Sequence, residues 1–159
     1  MTLAVVTNVL WVVTICVAVI TDLKRRSIHD VLTWPAMALL LGARAWFEGV
    51  GDERLGVLSG LLGLAISGGW FSVFALRKSI GWGDVKLAAA MGAAFGFPRV
   101  FVALVFVSLA GAFQAVFSLI WQGKLSATVR GVLPKQHIPY GVAIALGSVG
   151  AMVWDGNGF

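Results

Sequence analysis

Residues 100–121 read VFVALVFVSLAGAFQAVFSLIW, a run without one ionisable side chain. Wound as an α-helix it reaches about 33 Å, enough to cross the hydrocarbon core of a bilayer. Residues 3–20, LAVVTNVLWVVTICVAVI, repeat the pattern, with Cys16 as the lone ionisable group. The whole chain of 159 residues is 59% apolar and 12% charged, with a mean hydropathy of +0.93. An average soluble domain carries roughly 25% charged residues, so this composition describes a protein dissolved in lipid. Working outward gives four further apolar runs: Val31–Phe47, Leu55–Leu76, the short Val85–Phe97 and Ile138–Trp154. The expected fold is therefore all-α, a polytopic membrane protein of six transmembrane helices with a short fourth helix. These form a single integral-membrane domain over residues 1–159. Six spans of about 20 residues consume about 120 positions and leave only short turns. That excludes a separate soluble domain, a nucleotide-binding module and an extended nucleic-acid surface. Cys16 is the single cysteine, which excludes an internal disulfide and a CxxC-based zinc site.

The first run has no basic residue before it and Lys24-Arg25-Arg26 just after it. A cleaved signal peptide has the reverse arrangement, so this segment is expected to remain as a span with its amino end outside. Alternating six spans puts residues 21–30, 77–86 and 122–137 on one side, with nine basic residues: Lys24, Arg25, Arg26, Arg77, Lys78, Lys86, Lys124, Arg130 and Lys135. The other side holds Arg44, Arg54, Arg99 and both termini. Nine against three identifies the first side as cytoplasmic. The net charge of +5 is then a topological signal, and nucleic acid is not needed to explain it. Small residues recur at spacings of four, as Gly56/Gly60 and Ala88/Gly92/Gly96, a pattern that lets helix backbones approach closely in lipid.

Of the seven acidic residues, two sit where an apolar run meets a polar turn on the cytoplasmic side: Asp22 after the first span and Asp84 before the short fourth one. An ionisable group at that depth is a functional candidate. Each alone reads equally well as the partner of a neighbouring lysine, Lys24 or Lys86. As a pair they say more. Two carboxylates held close together share one proton, and such a dyad hydrolyses amides: the ionised member takes a proton from water while the other donates to the carbonyl. This chemistry needs no metal and no cofactor. Gly81-Trp82-Gly83-Asp84-Val85-Lys86 puts two glycines before the acid at the mouth of a helix. Glycine there permits unusual dihedrals and the close approach of a substrate strand, and the helix amino terminus favours a carboxylate. Lys86 reads as an interface anchor or as an accessory to the chemistry. Trp82 is the tryptophan placed to line a substrate groove. His29 and His137 lie in polar turns without metal-ligand spacing, and Cys16 is expected to be buried in span one as a packing residue.

Gly81-Trp82-Gly83-Asp84 with Val85-Lys86-Leu87 resembles the GxGD signature of the type IV prepilin peptidases, the bacterial membrane aspartic proteases, and of the related archaeal preflagellin peptidases. Asp22-Leu23-Lys24-Arg25-Arg26-Ser27-Ile28 is similar to that family's first-aspartate segment, and Ile138-Pro139-Tyr140-Gly141 through Gly147 to its last-span motif. The three segments come in the family's order and span nearly the whole chain. His29 and Asp30 depart from it, standing where members often carry Pro and Asn. The resemblance is to the short, peptidase-only form associated with tight-adherence (Flp-type) pilus systems. It implies catalysis by Asp22 and Asp84, Gly81 and Gly83 as motif glycines, and Lys86 at a commonly basic position. It further implies prepilin and pseudopilin substrates and a bacterial inner-membrane location, with cleavage after a basic leader at the cytoplasmic face. Two rival readings are a small proton- or cation-coupled transporter and a non-catalytic membrane assembly subunit. A transporter would place acids near the midplane within repeats, and a scaffold would tolerate loss of either aspartate.

Overall fold

A computed structural model describes residues 3–25, 30–48, 56–121 and 140–155. These form six helices: α1 (Leu3–Arg25), α2 (Asp30–Glu48), α3 (Val57–Leu76), α4 (Trp82–Phe95), α5 (Val100–Trp121) and α6 (Tyr140–Asp155). Three of them, α1, α3 and α5, are long and apolar enough to cross a membrane by length and composition. The other three fall short of that standard. α6 is a shorter apolar helix, α4 has 14 residues, and α2 contains Pro35 and Arg44.

Contacts fix the direction of neighbouring helices. Gly63 packs on Gly92, and Ser67 reaches the Ala88 carbonyl at 2.8 Å, so α3 and α4 are antiparallel. Val107 meets Gly147 and Phe106 meets Gly150, so α5 and α6 are antiparallel too. The ends of α1, α3 and α5 therefore share one end of the bundle with the starts of α2, α4 and α6.

The bundle is built around α4, which touches all five other helices. Ten of its residues, Val85 and Leu87–Phe95, are buried. Lipid tails are as apolar as the side chains, so helices associate here by close packing and polar contacts rather than by expulsion of water. Ala88, Ala89, Ala90, Gly92, Ala93 and Ala94 provide that packing by keeping the helix thin. The expected Ala88/Gly92 face is used, but its partner on α3 is Gly63 and Ser67. Gly60 instead faces Arg44 and Leu41 of α2. Large side chains such as Leu61, Trp70, Phe113, Val105 and Leu146 point outward, as a lipid-facing surface requires.

Arg44 corrects the charge reading. It is not a loop cation but a buried side chain, 3% exposed, on the inward face of α2. Its Nε donates to the Ala93 carbonyl at 2.9 Å and its Nη2 to the Ala94 carbonyl at 2.7 Å. The last carbonyls of a helix have no partners within it, and the last turn of α4 is buried. Arg44 supplies those partners and sets its charge against the negative end of the helix. Gly96 follows with φ 70 and ψ 175, a conformation essentially confined to glycine. The turn is then tied to α3 by Phe97 N–H to Ser59 O at 3.0 Å and Ser59 Oγ to Phe97 O at 2.9 Å. This is how a helix too short for the bilayer terminates inside the protein.

Candidate active site

On α1 the residues facing the bundle are Thr7, Trp11, Thr14, Ala18 and Asp22, a spacing of three and four that keeps one stripe turned inward. Asp22 ends that stripe, one turn before the end of the helix. It is 7% exposed, and its Oδ2 is closed off from solvent. The helix continues to Arg25, so Asp22 belongs to α1 itself rather than to the turn that follows. The same phase turns Cys16 outward: it is exposed, which corrects its expected place in the core.

Asp84 lies in the first turn of α4 and is half-buried. The helix begins at Trp82, three residues earlier than the hydropathy pattern predicts, so Gly83 and Asp84 are inside it and only Gly81 precedes it. The reason is local. The Asp84 carboxylate accepts the Gly81 N–H at 3.2 Å, and the Gly81 carbonyl accepts the Asp84 N–H at 3.1 Å. This is half of a capping box, since glycine has no side-chain oxygen to complete it. Gly81 itself has φ −79 and ψ 151, ordinary extended backbone. The unusual dihedrals expected of the motif glycines are absent here; Gly96 is the one glycine with positive φ among the described residues. What Gly81 contributes is the lack of a side chain beside the carboxylate, since a Cβ there would stand 3.4 Å from Asp84 Oδ2.

α1 ends where α4 begins, and the two helices are in contact. Asp22 and Asp84 thus belong to the same end of the bundle, contributed by touching helices. The third element there is α6, whose second residue, Gly141, packs directly on the Asp22 carboxyl group. Tyr140 beside it leans on Gly111 of α5. From Gly111, α5 runs on to Trp121 for about 15 Å, so Asp22 is recessed below the end of α5.

Lys86 is half-buried on α4, and Trp82 at its start is 56% exposed. His29 and His137 lie outside the described residues, as do Arg26, Ser27, Ile28, Ile138 and Pro139 of the two flanking motifs. Among the described residues, no group of three His, Cys, Asp or Glu side chains could hold a metal ion. Sequence reasoning passed over the separate roles of Arg44 and Gly141. For Arg44 the available signal was phase: Thr33, Met37, Leu40 and Arg44 are all buried, at the spacing of one helical face.

Residues 9–116 match the model of a family described as the type IV leader peptidase family, a stretch that contains both aspartates. Among curated proteins, the chain is 29% identical over 135 residues to a prepilin leader peptidase/N-methyltransferase of Aeromonas hydrophila, covering 84% of this chain and 44% of that protein. It is 28% identical over 144 residues to the protein of the same name from Pectobacterium carotovorum subsp. carotovorum, covering 88% of this chain and 48% of that one. The chain thus spans about half the length of the curated relatives it matches. No solved structure gives a significant match.

Proposed function

The chain belongs to the type IV leader peptidase family, and on that premise we propose that it is a membrane-embedded aspartic endopeptidase that removes the basic leader from prepilins and pseudopilins of the Flp-like kind. Its family is one of aspartic-type peptidases, and its apolar helices make it a multi-pass membrane protein. The observation that carries the reading is the meeting of α1, α4 and α6 at one end of the bundle, with one acid from each of the first two. The proposed topology has six spans in a bacterial inner membrane, with both termini outside and this end at the cytoplasmic face. With Arg44 buried, the opposite side keeps only Arg54 and Arg99 against the nine cations of the cytoplasmic side, so the charge asymmetry behind this orientation grows.

In the proposed mechanism Asp22 and Asp84 share one proton. The ionised carboxylate takes a proton from water as the water oxygen bonds to the scissile carbonyl carbon, and the protonated carboxyl group gives its proton to the carbonyl oxygen. The tetrahedral diol then collapses. The C–N bond breaks as the first carboxyl returns its proton to the nitrogen and the second takes one from a hydroxyl, restoring the dyad. The missing side chain at Gly81 and the exposed Trp82 at the start of α4 give an extended peptide room to enter. The test is co-expression with an Flp-like prepilin and detection of leader removal as a gel shift. Wild type should process it, while Asp22→Asn and Asp84→Asn should each insert, accumulate and leave it uncut. Normal processing by either variant would refute the dyad. Loss of the protein itself would make the aspartates structural.

A further inference from the structure

We infer that Gly141 is a positioning residue for Asp22: the bare backbone at the start of α6 forms the wall against which the Asp22 carboxyl group is set. The inference rests on the reading of Asp22 as half of the hydrolytic pair. A Cβ at position 141 would stand 2.8 Å from Asp22 Oδ2, 3.4 Å from Cγ and 3.6 Å from Cβ. The first distance is closer than carbon and oxygen approach without a bond. The other two are ordinary van der Waals contacts, so the conflict is with Oδ2 and is relieved by displacing the carboxylate from where it is set. Conformation does not demand glycine here, since Gly141 is not in the positive-φ region. Alanine would favour the helix, so the requirement is one of room.

α6 is packed closely on α5 along its length. The Tyr140 ring would stand 3.4 Å from a Cβ at Gly111, Gly147 lies on the backbone of Val107, and Gly150 on the ring of Phe106. The helix is held along its length against α5 while its first turn presses on α1. The first turn of a helix also carries backbone N–H groups without partners inside the helix, and its end is partly positive. Gly141 in that turn lies on the Asp22 carboxyl group, so the carboxylate sits beside the amino end of α6. A side chain at 141 separates them and moves the carboxylate.

The experiment compares purified full-length wild type, Asp22→Asn, Gly141→Ala, Gly141→Val and Gly150→Ala on a prepilin substrate across pH. Gly150→Ala disturbs the same helix, with a Cβ 2.9 Å from the Phe106 ring, at a distance from Asp22. Gly141→Ala should lower kcat roughly 10- to 100-fold at little changed KM, with Gly141→Val lower still. The pH of half-maximal rate in Gly141→Ala should move by roughly 0.2–0.7 unit. Gly150→Ala should keep the wild-type kcat and pH profile even where it lowers thermal stability. Wild-type kcat and pH profile in Gly141→Ala overturn the inference, as does a loss no larger than that of Gly150→Ala at equal stability. Either result leaves the peptidase reading intact so long as wild type cuts and Asp22→Asn does not. If wild type itself cuts nothing, the peptidase reading fails, and labelling of Asp22 by dicyclohexylcarbodiimide still decides the geometry. A labelling rate altered by Gly141→Ala but not by Gly150→Ala supports the wall, and an unaltered rate removes it.

Discussion

Replacing Arg44 by methionine tests whether a buried cation is what allows α4 to end inside the protein. The substitution keeps an unbranched apolar stem in the space beside Gly60 and deletes the two hydrogen bonds, of 2.9 Å to Ala93 O and 2.7 Å to Ala94 O. Bonds to a charged donor contribute about 1.5–3 kcal/mol each, and an acceptor left buried without a partner costs on the same scale, so the gross loss is about 3–6 kcal/mol. Two effects reduce it: the guanidinium no longer has to be desolvated, and polar contacts in membrane proteins measure weaker than in this simple sum. The expected net destabilisation is about 2–4 kcal/mol. Arg44→Lys retains the charge but offers a point donor instead of a fork and should fall between the two. The assay is reversible unfolding in mixed micelles with increasing SDS, followed by tryptophan fluorescence. Arg44→Met unfolding at the wild-type midpoint would show that the α4 carbonyls do not depend on Arg44.

Three further outcomes follow from the same packing. Gly92→Ala would drive a methyl into Gly63 O and Ser67 Oγ, and should cost about 1–3 kcal/mol in the same assay because α3 and α4 must part. Gly96→Ala must hold φ 70 and ψ 175, at about 1–3 kcal/mol of backbone strain, and would also meet Ser59 Oγ at 2.6 Å and Arg44 Nη2 at 2.8 Å; it should unfold earlier than Ser59→Ala. Cys16→Ala changes an outward-facing side chain and should stay within about 0.5 kcal/mol of wild type, whereas a core cysteine would cost more.

Much of this arrangement could be read before any coordinates, and the exceptions share a cause. Unbroken apolar runs announce α1, α3 and α5, because length and hydropathy are properties of a single segment. Asp22 and Asp84 could be picked out because charge at the edge of such a run is conspicuous. The packing of Gly63 against α4, the inward turn of Arg44 and the outward turn of Cys16 depend on helical phase relative to a neighbour, which one segment's hydropathy does not record. The apolar pattern places the start of α4 late because Gly83 and Asp84 interrupt it, while the hydrogen bond from Gly81 N–H to the Asp84 carboxylate is what begins the helix there. Gly141 was visible only as part of a motif. Its separate meaning lies in a contact with a residue 119 positions away.

The most direct measurement is of proximity between the two acids. In a Cys16→Ala background, Asp22→Cys with Asp84→Cys is treated in membranes with a short thiol-to-thiol reagent, alongside Gly68→Cys with Ala89→Cys as the reference pair, where a Cβ at 68 would stand 3.2 Å from Ala89 Cβ. The account predicts an intramolecular link joining the peptides that carry positions 22 and 84, as readily formed as in the reference pair. A linked reference pair beside an unlinked 22/84 pair would mean that these side chains never face one another, and the hydrolytic site would have to be sought elsewhere.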